Sequence, residues 1–391
     1  MAPVNFPIKV ALLGAGIFAK EAHLPVLTSN PGVFQLVAVY SKSEASAQSV
    51  VDILPAGHPH AKPSVFHDSS AQNLEALLAN PSIDAVVIAL PIPLQPKIIS
   101  AALAAGKHVF SEKPQAPSVA EGFALLKAYE PYEAQGLVWQ VAENFRAEPA
   151  IRHGQKVVRD LIAKSGAGSE IRAFDLRTYF YNKAENKYCK TTWRANAEFQ
   201  GGFVLDGGVH FLALLRAVTG LEPERVTAFT RLTESHLAPL DSVSAAIQLR
   251  NGALGTWLLY FMAPQKGAQI ELNVVVSGGA SGPGGMVTVK LGDDGQGHNG
   301  WVVIENLPGA EPQTTFYDNK GVEEEFLGWA KVLGGVTPGD VLPGLVNQTT
   351  VGYTEPFFNS ARNALGDVAL AEAVLQSGEK GGVPTQVQRV I

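Results

Sequence analysis

Through the first 142 residues, short apolar runs alternate with helix-compatible segments. Val10 to Leu13 run straight into Gly14-Ala15-Gly16, and a helix is expected from Ile17 until Asn30-Pro31-Gly32 stops it. Residues 34–40, 64–66, 84–90, 107–110 and 137–142 read as strands, with helices expected at 73–78, 97–105 and 118–129. Strands and helices alternating through short connections predict βαβ units and a parallel sheet. Such a sheet binds ligands outside the carboxyl ends of its strands. Gly14, Ser41, Pro91 and Lys113 all fall at those ends, so four loops face one crevice.

After Glu143-Asn144-Phe145-Arg146 the rhythm changes. Residues 171–181, 225–232, 242–249, 254–261, 269–277 and 286–291 are strand-like runs rich in β-branched and aromatic residues. Asn251-Gly252 suits a tight hairpin turn between two of them. Strands that succeed one another without intervening helices predict antiparallel pairing. A helix is expected to begin near Asp206 and to run through Phe211, Leu215 and Val218 until Gly220 ends it. The run 278–285 reads as a flexible glycine loop, and Asp293-Asp294-Gly295 as a turn rather than half of a calcium loop.

Composition narrows the function classes. A chain of 391 residues is too long for one core, and 46% hydrophobic with 17% charged residues is ordinary for a globular protein. The net charge of −6 argues against nucleic-acid and membrane-surface partners, which favour basic patches. One cysteine, Cys189, excludes an internal disulfide framework and fits a reducing compartment. The N-terminus leaves no room for a signal peptide, and no run reaches bilayer length, so a cytoplasmic protein is expected. His58 and His60 share a Pro/Gly-rich loop without a third ligand, so no metal is expected.

The glycine turn gives the first chemical indication. A strand ending in Gly-x-Gly and feeding a helix fits a dinucleotide pyrophosphate, because Gly14 permits the turn and Gly16 permits close backbone approach. The helix N-terminus then faces the phosphates. At the second strand end stand Ser41-Lys42-Ser43, where NAD-preferring proteins commonly place an Asp or Glu on the ribose hydroxyl. Small hydroxyls and a cation suit a 2′-phosphate instead, which favours NADP(H) over NAD(H). The same residues also fit a solvated turn whose Lys42 contacts nothing.

GAGIFA, Glu112-Lys113-Pro114 at a strand end, and Gly201-Gly202 leading to Asp206-Gly207-Gly208-Val209-His210 together resemble the glucose–fructose oxidoreductase/inositol dehydrogenase (Gfo/Idh/MocA) family. Residues 366–383 also resemble that family's C-terminal helix. The resemblance implies an α/β Rossmann N-terminal domain at 1–146 and an α+β C-terminal domain at 147–391 with a large open, mostly antiparallel sheet. It implies that Gly14, Gly16, Ile17, Phe18, Ser41, Lys42, Leu90, Pro91, Glu112, Lys113 and Asn144 hold the cofactor. It also implies a homodimer or homotetramer, one sheet face being covered by a second subunit or else by solvent. The peptide before Pro114 is expected to be cis. Where the family often has a His-bearing helix start after the fourth strand, this chain has Pro91-Ile92-Pro93-Leu94-Gln95-Pro96.

Hydride transfer at a carbon bearing oxygen needs a proton partner for that oxygen. The resemblance and the chemistry assign this role to His210, four residues beyond Asp206 on one helix face. Asp206 would orient the imidazole, stabilise its cation or bind a substrate hydroxyl. Lys113 would polarise the substrate oxygen. Tyr179, Trp193 and Arg194 are further substrate candidates and Arg146 a candidate for substrate or cofactor contact, although Tyr179 and Trp193 serve equally as core aromatics. The expected activity is an NADP-dependent oxidoreductase acting on a sugar, polyol or related hydroxy/carbonyl compound. The alternatives are a regulator that binds dinucleotide without turnover and a glycosidase that retains its nicotinamide.

Overall fold

The computed structural model describes residues 3–54, 62–263, 267–336 and 359–390. The loop bearing His58 and His60 lies outside them. The described chain forms two compact units, one of residues 1–143 and 322–365, the other of residues 144–321 and 366–391. A single division after residue 146 would place everything beyond it in one domain, whereas the described residues 322–336 and 359–365 fall in the first unit.

In the first unit, β1 (Ile8–Leu13) leads to a π-turn (Ala19–His23) continued by α1 (Leu24–Ser29). Then follow β2 (Phe34–Ser41), α2 (Glu44–Val51), β3 (Ser64–His67) and α3 (Leu74–Ala79). The unit continues through β4 (Ala85–Ile88), α4 (Gln95–Ala104), β5 (His108–Glu112), α5 (Val119–Ala134) and β6 (Trp139–Ala142). All six strands pair in parallel, in the order β3-β2-β1-β4-β5-β6. The four residues of β4 are fully buried, as expected of a parallel sheet covered on both faces. The order reverses between β1 and β4, the switch point at which such sheets bind ligands.

The helix Gly321–Leu333 completes this core from far along the chain. Phe326 and Trp329 lie 4.6 and 5.0 Å from the Phe110 ring. Sequence pattern did not single out this helix.

The second unit opens with α6 (Asn144–Ala147) and α7 (Pro149–Ser165), followed by β7 (Ile171–Tyr179), α8 (Thr192–Ala195) and α9 (Phe203–Thr219). Strands β8 (Pro223–Arg231), β9 (Ser242–Leu249), β10 (Leu254–Tyr260) and β11 (Gln269–Ser277) come next. After them come β12 (Gly284–Asp293), β13 (Asn299–Asn306), β14 (Gln313–Tyr317) and the short β15 (Thr385–Gln386). These nine strands order as β14-β13-β12-β11-β7-β10-β9-β8-β15. The pairing is antiparallel apart from β7 with β10, which run parallel. Those two neighbours are not consecutive in sequence, so the succession of strands gave no sign of that pairing. In β9 buried positions alternate with more exposed ones, which marks a sheet with one covered and one open face.

The glycine run 278–285 is more ordered than expected. Gly279 N–H bonds the Gly282 carbonyl, and the amides of Ala280 and Ser281 reach the carbonyls of Ala167 and Ser165. Asp293-Asp294-Gly295 is a turn closed by amide bonds to both carboxylates. Among the described residues no helix is long and apolar enough to cross a membrane. Among them too, no three His, Cys, Asp or Glu side chains group as metal ligands.

His108 at the start of β5 is buried, and its Nδ1 accepts the Val138 amide at 3.0 Å. Burial pushes the imidazole from 6.5 down to about 4, against the pull of Asp84. The unfolded chain therefore binds more protons than the folded one between those values. The stability His108 contributes is present above 6.5 and lost as pH falls toward 4. His108→Asn keeps an acceptor for Val138 but does not titrate. Its unfolding free energy, measured by denaturant titration, should fall less steeply over that pH window than in the unaltered chain; equal slopes would contradict the assignment.

Candidate functional site

The first unit builds its candidate site at the carboxyl ends of β1, β2, β4 and β5. Gly14 N–H donates to the Tyr40 carbonyl at 2.8 Å, tying the turn to β2. Its φ of +116° is a glycine conformation, and a Cβ there would collide with the Ala89 carbonyl oxygen. Gly16 differs, since a Cβ on it would meet nothing within 4 Å. Packing demands the first glycine, whereas the second faces open space, as a pyrophosphate cradle requires. Ile17 and Phe18, both half-buried, begin the helical run that follows.

At the end of β2, Ser41 Oγ bonds Ser46 Oγ at 3.0 Å, and Ser43 caps α2 through the Ser46 amide. Lys42 stands exposed between them. The Glu44 carboxylate lies 3.9 Å from His67 Nε2 across the strand ends. Tyr40 donates to Asp68 at 2.5 Å, and burial together with that carboxylate pushes its phenol far above the usual range. Leu90 and Pro91 lead from β4 into a 3-10 turn, Ile92–Leu94.

The Glu112-Lys113-Pro114 turn is held from two sides. Fully buried Gln95, first in α4, donates its Nε2 to the Pro114 carbonyl at 3.0 Å. His23 Nε2 lies 2.8 Å from Glu112 Oε1, and the other Glu112 oxygen accepts the Lys113 amide at 3.2 Å. The Lys113-Pro114 peptide is cis and Lys113 is half-buried. Sequence reasoning missed both His23 and Gln95. One lies inside an expected helix and the other between prolines, and neither position reveals its partner.

In the second unit, Gly202 precedes α9 with a φ of +49°, and α9 lies close on the sheet. A Cβ on Gly208 or Gly207 would come within 3.2 Å of Trp257 or 3.3 Å of Phe261. The glycines of the DGGVH motif therefore permit close helix–sheet approach. Asp206 is buried and accepts Arg194 Nε at 2.7 Å. The Arg194 guanidinium in turn lies over the Trp193 ring, 4.0 Å from its centroid. One turn beyond Asp206, the His210 ring stacks on Phe145 at 4.8 Å and 21°. Only Gly207, His210 and Ala217 among the residues of α9 keep appreciable exposure.

Three other candidates lie apart from this group. Tyr179 pairs in register with Tyr260, while buried Thr178 next to it bonds Trp257 beneath α9. Strand alternation therefore turns Tyr179 to the opposite, open face of the sheet. Arg146 is corrected from a substrate candidate to a structural residue. It forms a bidentate pair with Asp367 at 2.7 and 2.8 Å, and Asp367 also holds Arg216, which pairs with Glu222. A buried cation so engaged is unavailable to a ligand. Asn144 opens α6, half-buried, with its carbonyl taken by the Glu148 amide.

A parallel sheet with a glycine turn at its switch point defines a dinucleotide-binding protein. The chain belongs to the Gfo/Idh/MocA family. The model of that oxidoreductase family with an NAD-binding Rossmann fold matches residues 8–140, and the GFO/IDH/MocA C-terminal domain model matches residues 156–280. Dehydrogenase FPY6 of Fusarium mangiferae is 35% identical over 335 residues, 83% of this chain and 88% of that protein. An oxidoreductase of Thermotoga maritima has a TM-score of 0.76 at 25% identity, covering 98% of this chain and 99% of that one. WlbA dehydrogenase of Bordetella pertussis, solved with NADH and UDP-GlcNAcA, shares the fold with a TM-score of 0.72 at 19% identity. That match covers 98% of this chain and 99% of WlbA.

Proposed function

We propose that the protein is a dehydrogenase or reductase that prefers NADP(H) and acts on a sugar, polyol or related hydroxy/carbonyl compound. The observation that carries this reading is the partial exposure of His210, the one titratable side chain that keeps it on the largely buried α9, one turn from the ion-paired Asp206. A helix serving only as core has no use for an accessible imidazole at that place. The complex of WlbA with a nucleotide sugar supports the substrate class.

A nicotinamide cofactor, when bound, would supply or accept the hydride. His210 takes the hydroxyl proton in oxidation and returns it in reduction. The Lys113 ammonium would stabilise negative charge developing on a substrate oxygen. Arg194, fixed by Asp206, and Trp193 contact the substrate. Gly14 to Phe18 would receive the pyrophosphate, while Leu90, Pro91 and Glu112 would contact the rest of the cofactor. Ser41 and Lys42 would read the 2′-phosphate, because the residues directly after β2 are Lys42 and Ser43 rather than a carboxylate and Lys42 is exposed, while the nearby Glu44 carboxylate faces His67.

A homodimer or homotetramer formed through the open sheet face is part of the same proposal. That face exposes Phe229 and Leu254 at 63% and 61% and carries a groove of about 720 Å³ lined by Phe229, Arg231, Ser244 and Tyr260.

Lys42→Ala should weaken NADPH binding by about 10–100-fold, the worth of one charge-assisted hydrogen bond, and NADH binding far less. Fluorescence titration measures both, and an equal loss would reject the NADP assignment. His210→Ala should lower kcat by roughly 10²–10⁴ while cofactor binding survives. Turnover followed at the nicotinamide absorbance band on aldoses, polyols and small carbonyls tests this, and unchanged turnover would remove His210 from the chemistry. Light scattering should give two or four times the chain mass; a monomer would overturn the assembly proposal.

A further inference from the structure

The proposed chemistry makes no use of His23, although this imidazole is completely buried beside the Lys113 turn. Its ring sits edge-on to Phe18 and Phe326, with centroids 5.1 and 5.2 Å away. Nε2 meets Glu112 Oε1 at 2.8 Å, while Nδ1 has no hydrogen-bond partner among the described residues. A proton on Nδ1 would leave a buried donor unsatisfied, so the ring carries its proton on Nε2 and donates to Glu112. The pair is a mechanical link between two segments 89 residues apart in sequence.

The two segments are those the site depends on. His23 ends the π-turn that follows the glycine turn, a departure from regular helix of the kind often found at functional sites. Glu112 is the last residue of β5, and its second oxygen accepts the backbone amide of Lys113. Gln95 grips the same turn from α4 at the Pro114 carbonyl.

We propose that His23 is a positioning residue for Lys113. It fixes the Glu112 carboxylate, and through it the backbone that bears the ammonium, to the helix that follows the glycine turn. The functional part of this assignment rests on the reading of Lys113 as the group that polarises the substrate oxygen.

The test compares His23→Asn with His23→Gln in the full chain. Both substitutions are polar amides, but only glutamine can put a donor where the ring places Nε2. His23→Asn should speed amide exchange of the segment containing Lys113 at least about tenfold, as local opening does. It should also lower kcat by about 10–100-fold, the effect of misplacing a reacting group. KM for the cofactor should stay within about threefold. His23→Gln should restore both exchange and kcat. If the asparagine chain does not fold, Glu112→Ala reads the same link and should speed the same exchange. Unchanged exchange in the folded variants, or equal loss in Asn and Gln, overturns the proposal. Absence of nicotinamide-dependent turnover in the unaltered chain would instead overturn the reading of Lys113, and the exchange measurement would still decide the link.

Discussion

Residue 14 has no room for a side chain. Its Cα faces the Ala89 carbonyl at the point where β1 and β4 part, and its amide is committed to Tyr40 on β2. That crowding lets three strands end together with their backbones in contact, and it opens a crevice at the reversal of strand order. The other features of the first unit's site are placed by reference to this turn. The helical run beyond it delivers His23 to Glu112, α4 delivers Gln95 to Pro114, and β5 ends with the lysine between them.

The second unit solves a related problem with a helix in place of a turn. Gly207 and Gly208 let α9 lie against Trp257 and Phe261, which buries nearly the whole helix. Only a helix seated so deeply makes a part-exposed imidazole informative. The cations at Arg146 and Arg216 are absorbed by Asp367 and Glu222, so buried charge is compensated inside this unit. Arg194 is the guanidinium held at Asp206 instead, stacked on Trp193.

Much of the fold was legible because burial on both faces leaves unbroken apolar runs, as at residues 10–13 of β1 and in β4, and burial on one face leaves alternation, as in β9. The bounds of β9 and β11 match the expected 242–249 and 269–277. Helix α5 overran its expected end because it continues through Pro131. Helix α7, strands β13 and β14, and the helix 321–333 were not singled out. In the helix 321–333, Phe326 and Trp329 acquire meaning only against Phe110, more than two hundred residues earlier.

By itself, then, the sequence determined the local conformations: the glycine turn, the strand-end Glu-Lys-Pro, and the helix that stops at Gly220, which was expected from near Asp206 and starts one turn earlier, after Gly202. Each is written in neighbouring residues, through φ angles, periodicity and caps. Tertiary structure alone decided which buried polar groups meet. His23 finds Glu112 across 89 residues, and Arg146 finds Asp367 across 221, which turned one candidate ligand contact into a structural ion pair. A pairing between distant residues leaves no periodic trace in either segment, so only the folded backbone brings it to light.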